Sequence, residues 1–188
     1  MVNIVADCWL LLVFDTPVGY ANYMPLTISE EKPEISRFLA ANPIGVLATV
    51  HGDGTPHAAT IYFMVDADLN IYFVTKEGTA KAQNILRHPQ VAFAVYEAAT
   101  QKTVQINGTA ERIEDVSRFD QVFRHILGAS SGTSESPTPP VSKISGGEYV
   151  LFCITPKTIR LAEYTKPEHG RFDDLFDIAV IPDKTPLE

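Results

Sequence analysis

Between Ile44 and Arg112 the apolar residues come in short runs, each cut off by residues that favour turns. That spacing constrains the fold more than any other feature, because runs of this length suit strands better than helices. Ile44 to His51 reads as a strand, and Gly52-Asp53-Gly54-Thr55 supplies the residues a hairpin turn needs. Pro56 opens a second strand that runs through Val65. Asp66-Ala67-Asp68 turns the chain into a third, Asn70 to Thr75. A short helix is predicted from Ala80 to Leu86, ended by His88-Pro89. Val91 to Tyr96 reads as a buried strand and Val104 to Ile113 as another, with Gly108 marking a bulge or a close backbone approach.

The flanks add helices and a final hairpin. Thr27-Ile28-Ser29-Glu30 has the pattern of a capping box, and Ile35, Phe38 and Leu39 follow at helical spacing up to Asn42-Pro43. After Glu114-Asp115, the residues Val116, Phe119, Val122, Phe123, Ile126 and Leu127 form one apolar helix face. The stretch 128–147 has turn formers and no apolar period, which predicts a flexible loop. Tyr149 to Ile154 and Thr158 to Leu161 are predicted as two strands around a Thr155-Pro156-Lys157 corner. The expectation is a mainly β (α+β) fold, a small barrel of about six to seven antiparallel strands with short flanking helices.

The expected domain covers 27–165, with an apolar arm at 1–26 and a polar tail at 166–188. The run Cys8 to Phe14 is too short to span a bilayer, and the first basic residue is Lys32, so neither a membrane span nor a signal peptide is expected. Met24 offers an alternative start just before the domain. A net charge of −8 argues against nucleic-acid binding. Two cysteines, Cys8 and Cys153, make neither a disulfide framework nor a metal spacing, and the expected location is cytoplasmic.

One heptad carries chemistry. In Thr75-Lys76-Glu77-Gly78-Thr79-Ala80-Lys81 a strand feeds directly into a helix start. Two hydroxyls, two lysines and free helix-start amides would together hold a phosphate. The same residues also describe an ordinary N-cap at Thr79 beside two solvated lysines. His51 and His57 flank the first hairpin without an evident third metal ligand. No side chain presents itself as a catalytic acid, base or nucleophile.

The order Gly54-x-Pro56-His57-Ala58, Phe63, Ile71 to Thr75, Thr79-x-Lys81-x-x-Asn84-Ile85, Pro89-x-Val91 and Val104-x-x-x-Gly108-x-Ala110 resembles the pyridoxamine 5′-phosphate oxidase-like family. The resemblance implies a split β-barrel homodimer with FMN at the subunit interface and redox chemistry on a small-molecule substrate. It implies cofactor contacts at Ala59, Thr60, Ile61 and Tyr62, at Val74 and Thr75, at Lys76, Thr79 and Lys81, and at Thr103. The vitamin-making oxidases of the family carry arginine at the positions of Ala59 and Ala80. This chain therefore resembles more a general-stress-type or uncharacterised branch. Related branches bind a deazaflavin or haem, and the alternatives are a non-catalytic flavin- or haem-binding role in stress response or a deazaflavin-dependent reductase.

Overall fold

The computed structural model describes residues 28–133, 140–143, 146–164 and 176–180. The expected arm at 1–26, most of the tail and much of the predicted loop lie outside them. In chain order the elements are α1 (Ile28–Ala41), β1 (Ile44–Val50), β2 (Pro56–Tyr62), β3 (Met64–Val65), β4 (Ile71–Lys76) and α2 (Ala80–Arg87). Then follow β5 (Gln90–Glu97), β6 (Lys102–Ile113), α3 (Val116–Thr133), a 3-10 turn at Pro140–Lys143, β7 (Tyr149–Glu163) and β8 (Phe176–Val180). All pairings are antiparallel, in the order β2-β1-β5-β6-β7-β4-β3, with β8 beside β7. The fold is mainly β with flanking helices, as expected.

Local chemistry sets the hairpins. The amide of His51 donates to the carbonyl of Thr55 at 2.8 Å, closing the first turn. The second turn is built around Asp66, whose carboxylate accepts from the backbone amides of Asp68 and Asn70 and from the Asn70 side chain, at 2.9 to 3.0 Å.

The expected second strand is broken at Phe63. Its amide donates to Pro43, and there the chain changes partners: β2 pairs with β1, while β3 pairs with β4. This one bend curls the sheet back on itself. Conversely, the two expected last strands are a single strand. β7 runs unbroken through Thr155-Pro156-Lys157, and its register against β6 shifts between Asn107 and Gly108. A Cβ at Gly108 would collide with the carbonyl oxygen of Thr155, so the predicted close approach is real. The tail contributes β8, which pairs with the second half of β7, while the first half of β7 pairs with β4.

The barrel interior is filled by Leu47, Phe63, Ile71, Phe73, Phe93, Ile106, Phe152 and Ile154, closed at one end by Ile35 and Leu39 of α1. A second cluster lies outside the sheet, where α3 covers Met64, Tyr72, Val74, Leu151 and Cys153 with Val122 and Ile126. That packing carries α3 through Gly128 to Thr133, into what the composition suggests is loop. β5 also departs from expectation. Val91, Phe93 and Val95 face inward, but Ala92, Ala94 and Tyr96 are exposed, so the strand is covered on one side only.

Candidate functional site

The heptad forms a compact turn between β4 and α2. Thr79 is the N-cap residue in extended conformation, yet its side chain makes no capping hydrogen bond. Its hydroxyl instead donates to the carbonyl of Lys76 at 2.8 Å, and its oxygen lies 3.1 Å from that of Thr75. With the Thr79 proton committed, Thr75 is the donor of that pair. Both hydroxyl protons therefore serve the turn itself. What the helix start leaves open is its orphan amides, which carry a partial positive charge.

The two lysines differ. The ammonium of Lys76 donates to the carbonyl of Gly147 at 2.8 Å and lies 3.7 Å from the centre of the Tyr149 ring. This gives it a cation–π partner on the α3 side of the sheet. The ammonium expected to serve as a phosphate cation is here engaged by a carbonyl and a ring. Lys81 has no hydrogen bond or ion pair among the described residues. At about 100° per residue it falls between Asn84 and Ile85, on the buried side of α2. Burial pushes its pKa below the ordinary lysine value. Among the described residues no carboxylate pairs with this half-buried ammonium, and a bound anion would favour its charged form.

The other predicted residues divide. On β2, Ala59 and Tyr62 are half-buried, Thr60 is exposed and Ile61 is buried. α2, which carries Lys81, packs against this strand and β1, while Tyr62 packs against the cluster beneath α3. Val74 is buried beneath α3 and Thr75 is 1% exposed, which leaves backbone as their available contact. Thr103 is buried as well, its hydroxyl donating to the carbonyl of Val95 at 3.0 Å. Two clefts, of about 210 and 440 Å³, lie by the start of α3 and beside α1, and neither includes any of the ten predicted residues.

Sequence reasoning missed one part of this region. Asn84 and Thr49 are both buried and joined by a hydrogen bond of 3.0 Å. A polar residue on the apolar side of α2, between Ala82 and Ile85, was the available signal. His51 and His57 stack edge-on with ring centroids 5.2 Å apart. Among the described residues no group of three side chains is placed to hold a metal ion.

The family profile described as pyridoxamine 5′-phosphate oxidase matches residues 31–162, most of the chain, from within α1 to within β7. This chain belongs to the pyridoxamine 5′-phosphate oxidase family. A pyridoxine/pyridoxamine 5′-phosphate oxidase of Pseudomonas putida is 31% identical over 91 residues, which are 48% of this chain and 42% of that protein. The match thus spans less than half of that relative's length. Among solved structures, a conserved hypothetical protein of Mycobacterium tuberculosis is 26% identical with a TM-score of 0.59, covering 74% of this chain and 90% of its own. General stress protein 26 of Bacillus anthracis is 25% identical with a TM-score of 0.54, covering 75% and 98%. The family and these relatives agree with the barrel described above.

Proposed function

We propose that this protein binds FMN and uses it as an oxidoreductase on a small molecule. The observation that carries this reading is Lys81, a half-buried ammonium at the open start of α2 with no anionic partner among the described residues. Family membership supplies the chemical class of the ligand. The residues present suit a phosphate monoester: one uncommitted cation and the orphan amides of a helix start. A bound flavin supplies the electron or hydride transfer. The chain's own residues hold the phosphate and lay β2 along the ring, with Ala59 and Thr60 leaving room where a larger side chain would intrude.

The absence of arginine at Ala59 and Ala80 leaves Lys81 as the main charge of the grip. That sets this chain apart from the vitamin-making oxidases and favours the stress-protein side of the family. The exposed outer face of β2, β1 and β5 is where we place a second subunit, which would complete the cofactor site.

Titration of the purified protein with FMN and with riboflavin tests the reading. A charge-assisted phosphate contact is worth on the order of 1.5–3 kcal/mol. Lys81→Ala should therefore weaken FMN roughly ten- to a hundredfold, at about 1.4 kcal/mol per decade. Riboflavin, which has no phosphate, should bind both proteins alike. Equal FMN affinity in parent and variant, or equal loss of both ligands, removes Lys81 from the site.

A further inference from the structure

Helix α2 packs on the barrel through a mixed face. Ala82 and Ile85 are buried apolar residues, but Asn84 between them is 1% exposed and polar. Its side-chain amide donates to the hydroxyl of Thr49 on β1 at 3.0 Å, and Thr49 is itself 2% exposed. Thr49 stands directly opposite His57 on β2, and its hydroxyl lies 3.4 Å from Nδ1 and 3.5 Å from the carbonyl oxygen of that residue. A polar chain, buried at Asn84 and Thr49 and part-buried at His57, thus links the helix capped by Thr79 to the strand that carries Ala59.

Apolar contact is non-directional, so Ala82 and Ile85 alone would let α2 turn or slide on the barrel. A hydrogen bond between two buried groups does not, because losing its geometry strands a donor and an acceptor away from water. Lys81 precedes Asn84 by three residues and shares its side of the helix. Whatever fixes the rotation of α2 at Asn84 also fixes the direction of Lys81.

We propose that Asn84 is a positioning residue: through Thr49 it holds α2 in one rotation on β1, so that Lys81 meets the cofactor phosphate. This rests on the FMN reading above.

Variants of the full chain test it: Asn84→Leu, which keeps the branched outline and loses the amide, Thr49→Val, and Thr49→Ser, which keeps the hydroxyl. Each is titrated with FMN and with riboflavin, and its melting is followed. The expected result is a fall of about tenfold in the preference for FMN over riboflavin in Asn84→Leu and Thr49→Val. The double variant should fall no further, since both changes remove one bond. Thr49→Ser should keep the parental preference. In a Lys81→Ala background, Asn84→Leu should leave FMN affinity unchanged. If Asn84→Leu does not fold, the Thr49→Val and Thr49→Ser pair decides the matter. The proposal is overturned if both ligands weaken equally, if Thr49→Ser loses as much as Thr49→Val, or if the Asn84 and Lys81 effects multiply. A parent protein that prefers FMN while Asn84→Leu keeps that preference overturns this proposal alone. A parent with no preference for FMN overturns the underlying reading with it.

Discussion

The Asp66 carboxylate shows how one side chain organises a turn. Burial raises its pKa, but the hydrogen bonds from Asn70, the amide of Asp68 and the Tyr72 hydroxyl outweigh that and hold it below the usual aspartate value. The sign of the linkage follows. As the pH falls, the unfolded chain takes up this proton first, so the contribution is present above the ordinary aspartate pKa and is lost as the pH drops through the lower folded value. Asp66→Asn should therefore give a shallower loss of stability than the parent as the pH falls below the ordinary aspartate value, about pH 4, read from urea midpoints. An unchanged slope would remove Asp66 from the acid response. At the same scale, Lys76 and Lys81 are alike in sequence, five positions apart. Only the carbonyl of Gly147 and the ring of Tyr149, far along the chain, distinguish them.

Helix α3 is the element whose extent the sequence conceals. Gly128 reads as a stop signal because glycine is a poor helix former and Ser, Thr and Pro follow. Yet the helix runs on to Thr133, and Val122 and Ile126 anchor it on β4 and β7. Tertiary packing of one face outweighs the local penalty. A Cβ at Gly128 meets nothing within 4 Å, so Gly128→Ala should stabilise the protein by about 0.5–1 kcal/mol in denaturant unfolding. A loss of stability instead would show that Gly128 does not take the helical backbone conformation. β5 teaches the converse. Its unbroken apolar composition, from Val91 to Tyr96, reads as a strand covered on both faces, whereas the protomer covers only Val91, Phe93 and Val95.

For the molecule as a whole, that uncovered face matters most. Phe63, Phe73 and Phe93 are enclosed within the barrel. Tyr96 is 60% exposed, and Val46 and Ile44 stand out on β1. Val46 is flanked by Thr60 on one side and Ala94 on the other, and Ala48 by Ala58 and Ala92. The result is a smooth face of small and apolar residues, edged by β2, of the kind that marks an interaction surface. We expect a dimer of the 20.7 kDa chain formed through it. Sedimentation at micromolar concentration should show the dimer for the parent and the monomer for Val46→Asp, which buries an unpaired charge at the centre of the contact. A parent that sediments as a single chain ends the idea. No helix among the described residues is long and apolar enough to cross a membrane.

The sequence by itself determined what depends on neighbours along the chain. Turn chemistry placed the hairpin at Gly52 to Thr55 and the start of α2 at Ala80, and glycine marked the close approach at residue 108. These are properties of a few consecutive residues, so they are legible without the fold. The tertiary structure decided everything that turns on distant partners. It set where the chain exchanges β1 for β4 as partner at Phe63, that β7 runs straight through its proline, and that the tail returns as β8. It committed Lys76 and left Lys81 open, and it joined Asn84 to Thr49 across 35 residues. Such contacts depend on which surfaces the barrel brings together, and no window of sequence contains both halves of them.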